Sequence, residues 1–238
     1  MAFAAILHPD WEYRAFVAPL AGGATVPLVL PGTNGAWSTS WSADGAWVYV
    51  GARPLSEDPA RGLYRALPDG SQATELAFGV SQQGGVAAHP SASQQGLVAL
   101  GGGGIRVADL DTLSVTTLST ARAGREEYGP AWSPDGTRIA FVSRHGPNDR
   151  GSNEPLTFEI VVVNADGSGR ETLLSFEFED YPCDTFLAWA PSGTRLAYNR
   201  CAVAADGGIH LHVLDLASGQ SVAITSGSSF DGSPSWVP

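Results

Sequence analysis

The chain has 238 residues, a formal net charge of −11 and no lysine. That balance disfavours nucleic acid and anionic membrane surfaces as partners, and no run approaches the roughly 20 apolar residues that insert into a bilayer. With 29 glycines and 16 prolines, any helical period is broken repeatedly. In chain order, Met1–Ile6, Glu12–Ala18 and Thr25–Leu30 read as strands, short apolar or alternating runs set between turn residues. Ser40-Trp41-Ser42-Ala43-Asp44-Gly45 follows, and the same phrase returns as Ala131-Trp132-Ser133-Pro134-Asp135-Gly136 and Ala188-Trp189-Ala190-Pro191-Ser192-Gly193. His89-Pro90-Ser91 stands in the same phase without the Trp, and Ser235-Trp236-Val237-Pro238 is a last, shortened copy.

The markers at 41, 89, 132, 189 and 236 are spaced close to the roughly 40–50 residues of a four-stranded propeller blade. Inside the fourth unit, Arg138–Ser143 and Phe158–Asn164 read as strands, and Ala165-Asp166-Gly167-Ser168 turns into a third at Arg170–Leu174. Asp-Gly recurs at 44–45, 69–70, 135–136 and 166–167, where glycine supplies the positive φ of a tight hairpin. Ala131–Phe141 followed by Ile160–Gly167 resembles the repeat of the TolB-type (WD-like) β-propellers. The resemblance spans nearly the whole chain, and it implies radial four-stranded blades around a central channel with the first strand innermost. It implies no particular activity, since propellers host many.

The expected fold is therefore all-β, a five-bladed propeller of four-stranded antiparallel blades forming one domain. Its blades are placed at about 233–238 with 1–31, 36–78, 85–120, 128–175 and 185–226. The first is composite, with its inner strand from Ser233–Trp236 and its other three from the N-terminus, so that the ring closes on its own ends and hides its sheet edges. Cys183 and Cys201 flank a hairpin centred near residue 192 and fall almost opposite each other, within reach of a disulfide. Such a bridge favours an extracytoplasmic setting. The expected location is periplasmic or secreted if a removed signal preceded Met1, and cytoplasmic otherwise.

One set of turns is short, while the connections at the other ends of the strands are long: Pro54–Arg61, Arg144–Thr157, Phe176–Thr185 and Cys201–Gly208. Function concentrates in loops on a rigid scaffold, so the long-loop face is the candidate site. Asp180, Asp184, Glu127 and Asp231 are its candidate acidic ligand-binding residues. Trp37 and Tyr128, each four residues before a marker Trp, join Tyr181 as candidate aromatic platforms. The marker tryptophans themselves mark a structural position between blades.

No enzyme motif is present: there is no Gly-x-Ser-x-Gly elbow, no His-Glu-x-x-His and no phosphate-binding loop. No catalytic residue is assigned. No metal site is assigned either: His210 and His212 share a strand face without an evident third ligand. No cofactor is expected; calcium at Asp109 and Asp111 is the one ion with any sequence support. The function read from these features is a non-catalytic module, monomeric, that binds a protein or peptide over the long-loop face and channel mouth. A carbohydrate-binding propeller is the alternative. Behind it stand a glycosidase, for which two carboxyls must flank one sugar, and a recombined ring with no evolved ligand.

Overall fold

The computed structural model describes residues 2–7, 12–19, 21–54, 62–76, 91–92, 97–101, 104–112, 114–120, 125–146, 156–178, 185–200, 208–229, 231–232, 234 and 236. The chain divides into two units, Met1–Thr117 and Leu118–Pro238. In the first, β1 (Ala2–Leu7), β2 (Glu12–Val17) and β3 (Val26–Leu28) form a three-stranded sheet. Strands β4 (Thr33–Trp41), β5 (Val48–Pro54), β6 (Gly62–Ala66) and β7 (Thr74–Glu75) form the next sheet. The third consists of β8 (Ser91–Ala92), β9 (Leu97–Leu100), β10 (Arg106–Asp109) and β11 (Val115–Thr117). The second unit holds β12 (Arg125–Trp132), β13 (Arg138–His145), β14 (Leu156–Asn164) and β15 (Glu171–Phe178) in one sheet. Its other sheet is β16 (Leu187–Trp189), β17 (Arg195–Asn199), β18 (Leu211–Asp215) and β19 (Ser221–Ala223). Every pairing is antiparallel between consecutive strands. The expected strands of the first and fourth repeats fall within a few residues of these. The inner strand expected at Ser233–Trp236 rests on two described residues, 234 and 236, and among the described residues β1 pairs only with β2.

The repeated phrase builds its hairpin by local hydrogen bonding. Ser133 N donates to Arg138 O (2.9 Å), and Arg138 N donates to Ser133 Oγ (2.9 Å). Asp135 Oδ1 accepts from Ser133 Oγ (2.6 Å), Thr137 N (3.0 Å) and Thr137 Oγ1 (2.8 Å). Gly136 closes the turn at φ 69°, a conformation that costs other residues free energy. Ser42, Asp44 and Trp47 repeat these bonds at 2.6–3.0 Å in the first unit. The hydrogen bonds from Ser133 and Thr137 hold the Asp135 carboxyl down at about 2. A carboxyl lowered in the folded state stabilises the fold above its unfolded value of 3.8, and that contribution disappears as pH falls through the folded value. Acid titration of the denaturation midpoint should therefore show a loss between about pH 4 and pH 2, and Asp135→Asn should shrink that loss. An unchanged acid limb in the variant would remove Asp135 from the account.

Sheets stack through apolar faces within each unit. In the first, Ala15, Val17 and Leu28 pack with Val48, Val50 and Tyr64, while Tyr49 and Leu63 pack with Ala108. In the second, Tyr128, Val142, Phe158 and Ile160 from one sheet meet Trp189, Leu196, Tyr198 and Leu214 from the other. Two of the marker tryptophans, Trp189 and Trp236, each reach back to the preceding repeat. Trp189 Nε1 donates to Ala131 O (2.9 Å), and Trp236 Nε1 donates to Ala188 O (3.0 Å), in each case the residue before the preceding marker. Arg138 braces this joint, its guanidinium 4.9 Å over the Trp189 ring and donating to Gly193 O at 3.2 Å.

Candidate functional site

In the second unit, the strand ends that lead into the long connections carry charged and aromatic side chains. Register brings Arg125 opposite His145, Glu126 opposite Arg144, and Ser143 between Glu127 and Glu159. The charges then pair off: Arg125 with Glu159 (3.5 Å), Arg144 with Glu126, and His145 Nε2 against Glu159 Oε1 (3.8 Å). Glu127, expected as a loop acid, lies in β12 and is 2% exposed. It accepts from Ser119 Oγ and from Arg170 (2.8 Å), which crosses the sheet with its guanidinium 5.1 Å over the Phe141 ring. Glu127 is thus a structural strut, because its carboxylate is already taken up within the fold.

Tyr128 also departs from its expected place at the rim. It is 4% exposed and belongs to the core between the two sheets. The cause is a bulge between Tyr128 and Ala131, where Gly129 sits at φ 61°. The extra residue reverses the alternation of faces, so Tyr128 leaves the face of Trp132 and joins that of Ala131. Its hydroxyl accepts from Thr185 N at 3.4 Å, anchoring the start of the fifth repeat. Trp37 lies in β4, where the register also shifts, between Ala36 and Ser38; its side chain lies outside the described residues. So do Tyr181, Asp180, Asp184, Cys183 and Cys201.

Three aromatic residues that the sequence did not single out, together with His212, complete this end. Phe158, Phe176, Tyr198 and His212 stack in series with centroids 5.5, 6.2 and 5.3 Å apart. Arg200 lies 5.5 Å over Phe176. Burial, with Arg200 and His210 nearby, lowers the His212 pKa, so this imidazole is neutral at pH 7. One aromatic residue in β14 and one in β17, with the phenylalanines of β15, are the hint of the stack in the sequence, and they do not specify partners.

Asp231 is described, and it adjoins His210. Asp231 N donates to Ile209 O and Ile209 N to Ser229 O, fastening Ser229 and Asp231 beside Ile209. The Asp231 carboxylate accepts from Ser229 Oγ (3.1 Å) and lies 4.0 Å from His210 Nδ1. Hydrogen bonding from Thr225 and Ser229, together with His210, lowers its pKa. A serine, a histidine and an aspartate meet here, but the hydroxyl donates to the carboxylate and not to the imidazole. The serine oxygen is therefore not the activated nucleophile of a triad. Asp109 caps a turn through Asp111 N and Thr112 N, both at 2.9 Å. Among the described residues no three His, Cys, Asp or Glu side chains converge as metal ligands, and no helix is long and apolar enough to cross a membrane.

No family model matches the chain. Over 169 residues it is 26% identical to the Tol-Pal system protein TolB of Haemophilus influenzae, a match covering 68% of this chain and 33% of that protein. The matched segment thus spans about a third of the relative's length. A putative TolB from Agrobacterium tumefaciens superposes with a TM-score of 0.67 at 17% identity, covering 97% of this chain and 85% of that one. TolB from Acinetobacter baumannii gives 0.64 at 17% identity, covering 92% and 50%.

Proposed function

We propose that this chain, built of repeats of the TolB propeller type, is a non-catalytic interaction module that binds a protein or peptide at the long-connection ends of its strands. The observation that carries this reading is the state of the charges there. Glu126, Glu127 and Glu159 are each held by an arginine, so the strand ends form a fixed polar platform rather than a set of reactive carboxyls. The sequence that follows β15 carries Asp180, Tyr181 and Asp184, and the chain's charge of −11 favours a basic partner. The lectin reading relied on Trp37, Tyr128 and Tyr181 as platforms, and the burial of Tyr128 removes one of them.

Selection from a random peptide library against the whole chain tests the proposal. Enriched peptides should be basic and should lose affinity for an Asp180→Asn, Asp184→Asn, Tyr181→Ala variant. Enrichment that ignores these changes, or saturable binding on a glycan array without peptide binding, would overturn it.

The five-blade closure belongs to the same proposal. Trp236 repeats the hydrogen bond that Trp189 makes, which supports residues 233–236 as the inner strand of one further repeat.

A further inference from the structure

The outer strands of the sheets differ in how they are guarded. A free sheet edge offers unpaired N–H and C=O groups to any extended chain, and proteins block such edges with charge or proline. Among the described outer strands, β3 contains Pro27, β7 contains Glu75 and β15 contains Glu171 and Glu177. β11 has neither guard, but it carries no large exposed apolar side chain. β19 also lacks both, and residues 216–230 around it carry no charge. It alone among these strands, with the residue that follows it, presents two large apolar side chains to solvent: Val222 is 61% exposed and Ile224 57%.

The backbone completes the pattern. Ile224 N donates to Leu211 O (2.8 Å), Asp215 N donates to Gln220 O (2.9 Å), and Val222 lies opposite Val213. Alternation of an antiparallel ladder then turns the N–H and C=O of Ser221 and Ala223 away from β18. An added strand would meet two residues' worth of backbone groups at that edge, with Val222 and Ile224 together on one face.

We propose that β19 is a docking edge that takes an extended, β-branched segment of a partner protein, flanked by basic residues. Charge selects this occupant: a second copy of the chain brings a further −11, whereas lysines or arginines beside the docked strand are attracted to the acidic body. The uncharged edge leaves the pairing itself free of repulsion. This surface is distinct from the strand ends of the same unit discussed above.

The probe is a synthetic peptide of alternating valine and threonine with two lysines at each end, followed by NMR shifts and calorimetry on the whole chain. Shifts are expected at residues 219–226. Glutamate in place of the flanking lysines should weaken binding by about tenfold or more. Ala223→Pro removes an N–H that points outward and spares the bonds to β18, so the fold should persist while affinity falls by about tenfold. Val222→Lys gives the same test without proline. Both variants should leave the binding of peptides selected on the loop side unchanged, which separates failure here from failure of the loop-side reading. Absence of binding, or binding indifferent to both variants, overturns the proposal. It is also overturned if the chain alone dimerises with increasing concentration and Ala223→Pro abolishes the dimer, because the edge then belongs to a second copy.

Discussion

Replacing Arg170 with alanine should destabilise the second unit by about 3 kcal/mol. Breaking a buried ion pair by removing one partner costs about 3–5 kcal/mol, because the remaining charge has lost both water and its counter-charge. Here the remaining charge is Glu127, whose side chain is 3% exposed. Arg170 itself is 36% exposed, and water replacing its guanidinium brings the expectation to the lower end of the range. The reverse change, Glu127→Gln, leaves a half-exposed cation that water can solvate and should cost less, about 1 kcal/mol. Combining Glu127→Gln with Arg170→Met should recover most of the loss, since a buried pair replaced by neutral groups of similar volume is often near neutral. Urea denaturation of the three variants checks this order. A cost below about 0.5 kcal/mol for Arg170→Ala, as for an ordinary surface pair, would show that the strut across the sheet does not hold β15 to β12.

Trp189→Ala should cost more, about 4–5 kcal/mol. Truncating a buried Trp removes about 3–5 kcal/mol of burial and packing. Trp189 in addition donates to Ala131 O and lies under Arg138, so truncation also leaves a carbonyl short of its partner. Trp189→Phe separates the two contributions: the ring stays, the donor is lost, and a cost of about 1–2 kcal/mol is expected. A neutral Trp189→Phe would reduce the indole to filling space. The same substitution at Trp236 tests closure. If residues 233–236 form an inner strand, Trp236→Phe should lower the thermal midpoint as Trp189→Phe does; no change there would remove the support for the composite blade.

The two experiments bear on different parts of the molecule's logic. Trp189 ties one sheet of the second unit to the other, and the Glu127–Arg170 strut links the first strand of one sheet to the residue that precedes its last. Glu127 belongs to the platform proposed to meet a partner, and Trp189 to the joint between β12 and β16. Their loss is expected to reduce binding only by loosening the platform, so affinity should recover in the Glu127→Gln, Arg170→Met combination.

Strand positions could be read directly from the residues, because the interactions that place them are local. In Ser133-Pro134-Asp135-Gly136 the serine, the aspartate and the glycine satisfy one another within six residues, and a strand must follow on each side. The tryptophan repeat likewise revealed its role, since a side chain that recurs at blade spacing has to meet the same neighbour each time. The site was legible only in part. Tyr128 was misplaced because the bulge at Gly129 inserts one residue, and with a period of two a single insertion moves every preceding side chain to the other face. Glu127 looked like a loop acid because its partner, Arg170, lies 43 positions away and only the ladder from β12 to β15 brings them together. The openness of β19 was not legible for a similar reason: whether a strand is central or outermost depends on which neighbours the tertiary structure supplies. Local hydrogen bonding and periodicity belong to the sequence. Face, partner and edge belong to the tertiary structure, because each depends on groups far apart along the chain.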